Sequence, residues 1–185
     1  MGAMGGDSRM ETAQEEVKLL SKKERLDADL VEDEDDAAED NQDGKYLTFI
    51  IGKEDFGIEI RFVTEIIGIQ GITEVPDMAS YVKGVINLRG KVITVMDVRL
   101  RFGVEERPYD NRTCIVVINI HEQPVGLIVD RVLEVLDIPD NEIEAPPKMG
   151  KGKSNRFIQG LGKCGDQVKI LLNANELLLD EEESA

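Results

Sequence analysis

The chain has 185 residues, with 22 Lys and Arg against 38 Asp and Glu, one histidine, two cysteines and no tryptophan. That length suits one ordinary domain or two very small ones, and a formal charge of −16 offers no field against which a phosphate backbone releases counterions, so nucleic acid is disfavoured. No run of about 18 apolar residues exists to insert into a membrane, Cys114 and Cys164 are too few for a disulfide framework, and a lone His121 excludes paired-histidine zinc enzymes; the expectation is a cytoplasmic protein with no metal and no cofactor.

Charge is unevenly spread. Residues 1–44 hold 5 basic and 15 acidic residues, the tail 180–185 adds four negative charges, and residues 45–179 are left at only −2. Met1–Gly6 (MGAMGG) reads as an appended remnant. Glu11–Leu30 permits a helix through Val17, Leu20 and Leu30, but the apolar stripe is thin and short isolated helices are marginal. Asp27–Asp43 carries ten acidic residues and no basic one, too few apolar groups to offset its ordering entropy. Residues 1–44 are therefore expected to form a disordered, solvating leader that the fold does not need. Residues 45–179 are the expected folded part, and 180–185 an acidic tail.

From Lys45 the texture changes to β-branched runs broken by glycine. Tyr46–Ile51, a Gly52-Lys-Glu-Asp turn and the alternating Phe56, Ile58 and Ile60 make a hairpin signature. The pattern recurs as Val85–Leu88, Arg89-Gly90 and Lys91–Val98. It recurs again as Cys114–Ile120, a His121-Glu-Gln-Pro turn and Val125–Val129. The last copy is Gly160–Cys164, Gly165-Asp166 and Gln167–Leu172. Four hairpins with few helical periods between them predict a mainly β fold of small barrels, a single sandwich being the alternative. Asp97 is placed to cap a short helix over Val98–Phe102 that Gly103 ends, and Asn173 to cap another, with Glu176 as capping-box partner. Asp140–Ile143, after Pro139, is at most one turn.

Little in this inventory carries chemistry. Gly152-Lys153-Ser154 resembles the end of a phosphate loop, but Pro147 stands where the first glycine belongs, and no strand and helix flank it. His121 sits in a turn with no nucleophile implied nearby. Cys114 reads as a small hydrophobe and Cys164 as a turn residue; Asp97 is a cap and Asp130 a strand-end residue. No catalytic residue is assigned. Arg89 stands out: it occupies a tight turn between two apolar strands, where its guanidinium would be a rigid donor fork for a carboxylate.

The stretch GVINLRGKVITVMDVRLRFG, flanked by YLTFIIGKEDFGIEIRFVTEII, TCIVVINIHEQPVGLIVDRVLEVLDI and IQGLGKCGDQVKILLN, is very similar to the CheW family of bacterial chemotaxis adaptors. The likeness runs from Lys45 to about Leu179. Related domains occur in the regulatory end of the kinase CheA and in CheV, for which a longer chain is expected. The resemblance implies two small five-stranded, SH3-like β-barrels packed together, with the chain crossing between them and a few short helices. It implies no catalysis and no cofactor. The implied partners are the cytoplasmic tips of methyl-accepting chemotaxis receptors and the regulatory domain of CheA, with recruitment to membrane receptor arrays and no direct membrane insertion. By motif match, the receptor-facing residues would be Val63, Glu65, Gly84, Arg89 and Val135. The kinase-facing edge would hold Glu144, Lys148 and Met149, and there EAPPKM departs from the family, whose members can carry an acidic and an aromatic residue at the last two positions.

Two other readings fit the same residues. One is an SH3-type module for proline-rich peptides, against which stands the sparse aromatic content of 3 Tyr, 5 Phe and no Trp. The other is a small hydrolase or binding protein built on Cys114 or His121.

Overall fold

All four expected hairpins form, and between them lie strands that alternation does not announce. The computed structural model describes residues 7–27, 42–148 and 153–179. The elements are α1 (Asp7–Asp27), β1 (Lys45–Ile51), β2 (Glu54–Glu59), β3 (Val63–Gly68), β4 (Val82–Leu88), β5 (Lys91–Asp97), α2 (Val98–Arg101), β6 (Cys114–Ile120), β7 (Gln123–Val129), β8 (Arg131–Asp137), β9 (Ile143–Glu144), β10 (Ile158–Cys164), β11 (Gln167–Leu172) and α3 (Ala174–Leu178). They make a six-stranded sheet in the order β8-β1-β2-β11-β10-β9 and a five-stranded sheet in the order β3-β6-β7-β5-β4. The fold is mainly β, in two barrel-like subdomains. The first sheet has six strands rather than the expected five because the two-residue β9 pairs with β10 at its end. The chain crosses between the subdomains after β2 and after β7.

The β6 sequence, CIVVINI, shows how the two subdomains share a core. Val116, Ile118 and Ile120 join a large buried cluster with Leu47, Phe49 and Ile58 of the first sheet and Leu127 of the second. Ile115 and Val117, on the other face, pack with Ile86, Ile93, Val95 and Ile128 inside the second subdomain. A strand buried on both faces loses alternation and reads as a continuous apolar run.

Turns and caps follow local chemistry. Arg89 and Gly90 both have positive φ, +51° and +84°, as a two-residue primed turn requires. The β6–β7 turn is His121-Glu122, two residues rather than the expected four, and both are left-handed at φ +49° and +64°. The Asp97 side chain accepts from Arg99 N at 2.9 Å at the start of α2. Asn173 accepts from Asn175 N and Glu176 N at 3.0 and 3.3 Å to start α3. Asp140–Glu142 is a single 3-10 turn.

Helix α2 carries a stitch between the subdomains. Arg99 Nε donates to Asp130 at 2.9 Å, and Asp130 also accepts from the Gly52 N–H of the β1–β2 turn at 2.8 Å. Two residues on, Arg101 is buried; it donates to the Leu177 carbonyl at 3.1 Å and to that of Leu179, and stacks on Tyr81 and Phe157 with centroid distances of 4.1 and 4.8 Å.

Residues 7–27 correct the expected disordered leader. They form α1, in which Met10, Ala13, Val17 and Leu20 recur at three- and four-residue spacing and pack against the shared core, Ala13 and Val17 being only 1% and 2% exposed. The stripe that is too thin to hold a helix in isolation suffices once a tertiary surface buries it. An apolar face of the leader is thus part of the packing, contrary to expectation. Residues 28–41, which hold most of the acidic run, lie outside the described residues, as do the tail 180–185 and residues 149–152.

Candidate functional site

Strands β3 and β8 occupy the ends of their respective sheets. An end strand presents unpaired backbone groups, and natural proteins cover or bend such edges. Here α1 packs across both strands, and the Gln14 side-chain amide donates to the Ile66 carbonyl at 3.1 Å.

Each strand also carries a β-bulge, and the bulges aim the candidate residues. In β3 the register shifts between Val63, opposite Ile118, and Glu65, opposite Val117. Two residues apart on a regular strand would share a face. With Thr64 inserted they do not: Val63 joins the shared core at 7% exposure, while Glu65 lies on the Val117 side. In β8, Val135 stands opposite Leu47 and Val132 opposite Phe49, so residues an odd number apart face the same core. Thr48 fills that bulge, its hydroxyl donating to the Glu134 carbonyl at 2.7 Å. Val135 is half-buried against the shared core.

Glu65 and Arg89 meet across the rim. Arg89 Nη2 donates to Glu65 Oε2 at 2.9 Å and Nη1 to Oε1 at 3.4 Å, a forked pair. Because β3 and β4 are opposite ends of the five-stranded sheet, this pair forms only when the sheet curls on itself. The Arg89 side chain stays 78% exposed. Between α1 and β3 a cleft of about 730 Å³ remains open, with Glu11, Glu15 and Lys18 on one side and Glu65, Ile67 and Arg89 on the other.

Gly84 lies apart from this rim, buried at the β4 bulge with φ +142°. A Cβ there would come 2.1 Å from the Thr73 carbonyl oxygen. Its contribution is to backbone shape. The structure therefore brings Glu65 and Arg89 together on the cleft beside α1, sets Val63 and Val135 on the shared core that α1 also packs against, and leaves Gly84 apart from them.

The other candidate edge is at the far end of the six-stranded order. Glu144 lies in β9, exposed, with its carboxylate 2.7 Å from Lys163 Nζ, and that neighbour raises the Lys163 pKa. Lys148 is exposed, and Met149 lies outside the described residues.

Residues that could have supported other chemistry are placed differently. Cys114 is buried, and burial pushes its thiol pKa up. It opens β6 while His121 follows the end of that strand, roughly 20 Å away at about 3.3 Å per residue, so the two form no nucleophile–base pair. Asp97 is spent on its cap and on the Tyr109 hydroxyl at 2.8 Å; burial and that hydrogen bond raise the Tyr109 pKa. Among the described residues no three His, Cys, Asp or Glu side chains are grouped to hold a metal. Lys153–Phe157 is a 3-10 turn leading into a strand, not the helix a phosphate loop needs. Phe49, Phe56, Phe102 and Phe157 run in a row of ring contacts 5.3 to 6.2 Å apart, and Phe49, Phe56 and Phe157 are buried, so these rings line no open groove for a proline-rich segment. No described helix is long and apolar enough to cross a membrane.

Fold and site together define a strand-exchanged pair of β-barrel-like subdomains whose distinctive feature is a helix-covered cleft with a charged rim. The chain belongs to the CheW-like domain family, whose model matches residues 45–182. It is 33% identical over 138 residues to the chemotaxis protein CheW of Klebsiella aerogenes, covering 75% of this chain and 83% of that one. It is also 33% identical over 141 residues to the chemotaxis protein CheW of Helicobacter pylori, covering 76% and 85%. Among solved structures it is similar to the scaffolding protein TtCheW of Thermoanaerobacter tengcongensis, with TM-score 0.69 and 34% identity over 75% of this chain and 94% of that one.

Proposed function

We propose that this chain is a non-enzymatic adaptor that couples methyl-accepting chemotaxis receptors to the histidine kinase CheA. The observation that carries the reading is the forked Glu65–Arg89 pair, held on a rigid hairpin beside an apolar seat that includes Val63 and Val135. Apolar centres rimmed by partly exposed charge, with arginine prominent, are the usual make-up of protein interfaces. Family membership and the names of the relatives support chemotaxis as the setting. In this reading Val63, Glu65, Arg89 and Val135 meet the receptor tip, and Gly84 holds the backbone that positions them. Glu144, Lys148 and Met149 form the edge that meets the regulatory domain of CheA. Two separate surfaces are supported by Glu144 lying in β9, at the opposite end of the six-stranded sheet from β8. The protein works in the cytoplasm, recruited to receptor arrays.

The test is a pair of substitutions read in two ways. Arg89→Ala is expected to leave unfolding free energy within about 1 kcal/mol of the parent, since an exposed ion pair contributes little. It is expected to weaken binding to a receptor-tip fragment by about 1–3 kcal/mol. Arg89→Lys keeps the charge but loses the planar fork and should recover only part of the binding. Full binding by both variants, alongside a fall in melting temperature, would make Arg89 structural and remove the observation on which the reading rests.

A further inference from the structure

The seat assigned above to a receptor is already filled by the chain's own helix. We propose that α1 is an intramolecular occupant of the β3–β8 seat, displaced when an amphipathic helix of the partner binds there. The identity of the incoming helix rests on the receptor reading; the occupancy does not.

Three features mark α1 as a placeholder rather than a fixed part of the core. Its buried stripe is small: Ala13 and Val17 are covered and Met10 and Leu20 only partly so, while Leu19 is 68% exposed. Among the described residues, its hydrogen bond to β3 is that of the Gln14 amide on the Ile66 carbonyl. It also underfills the seat, leaving the cleft that Glu65 and Arg89 rim. A helix with larger side chains at the same spacing would bury more surface, and a carboxylate on it could share the exposed Arg89 guanidinium with Glu65, a contact α1 does not make. Since α1 and its seat belong to one chain, a free helix competes with an intramolecular one, and its apparent affinity falls by the fraction of molecules in which the seat is closed.

The probe is a synthetic peptide of residues 7–27, titrated onto the full chain and onto full-length Val17→Glu and Ala13→Glu variants, with the β fold checked by circular dichroism. A charge at either position should undock the tethered helix and free the seat. The peptide is expected to bind both variants saturably and at least tenfold more tightly than the parent chain, and a receptor-tip helical hairpin is expected to compete with it. Equal peptide binding to parent and variants, or binding to neither, would overturn the proposal, as would a hairpin that binds without displacing the peptide. If the peptide binds as expected and the hairpin binds no form of the chain, the self-occupied seat stands and the receptor reading falls.

Discussion

Gly84→Ala should destabilise the protein by about 2–6 kcal/mol. Two costs add. Gly84 has φ +142°, a region that L side chains rarely adopt and that costs about 1–3 kcal/mol for a residue with a Cβ. The new Cβ would also sit 2.1 Å from the Thr73 carbonyl oxygen and 3.0 Å from the Ile72 side chain. Backbone cannot swing aside as a flexible side chain does, and forcing it apart costs about 1–3 kcal/mol more. The displaced segment is held by reciprocal hydrogen bonds, Thr73 N to Val85 O at 2.9 Å and Val85 N to Thr73 O at 2.8 Å, which would break first. Urea unfolding at 25 °C checks this through the transition midpoint. A midpoint equal to the parent's would show that the β4 bulge relaxes freely, and Gly84 would then lose its assigned role as a support.

Asp130→Ala is expected to cost about 3–5 kcal/mol by a different route. The carboxylate is buried and serves the Gly52 N–H of one subdomain and the Arg99 guanidinium of the other, with Arg107 3.9 Å away. Removing one partner of a buried pair leaves the other charge uncompensated, which is far more costly than exchanging both for apolar groups. Among the described residues, the Arg99 side chain would then keep the Glu105 carbonyl at 2.8 Å. The double variant Arg99→Ala with Asp130→Ala should therefore lose less than the sum of the singles, by about 0.5–3 kcal/mol. Strict additivity in a thermal-melt cycle would show that the two side chains act independently and that the stitch between the subdomains lies elsewhere.

The hairpins were legible because their turns and their alternation agree: Arg89-Gly90 and Gly165-Asp166 sit between runs of the right period. The caps Asp97 and Asn173 were legible for the same local reason. Strands β3 and β8 were not, because a bulge shifts the facing of side chains within each, and a reader who assumes period two loses the thread at Thr64 and near Glu134. Val17 and Leu20 already permitted a helix, but the docking of α1 escaped because the other half of its stripe, Met10 and Ala13, signals little until a surface is known to receive it. The pairing of Glu65 with Arg89 joins the two ends of a curled sheet, and no local pattern records that closure. Nothing in the local pattern marks Arg99 and Arg101, yet the structure spends both on the joint between subdomains. Sequence similarity, not periodicity, singled out Val63 and Val135.

The most direct test of the adaptor account is CheA autophosphorylation measured on receptor-bearing membranes, with and without this protein. Kinase activity is expected to depend on the added chain, to fall again when receptors are saturated with attractant, and to be lost with a folded Arg89→Glu variant, whose like charge faces Glu65 and repels a partner carboxylate. Kinase activity that is the same with and without the folded parent protein would contradict the account.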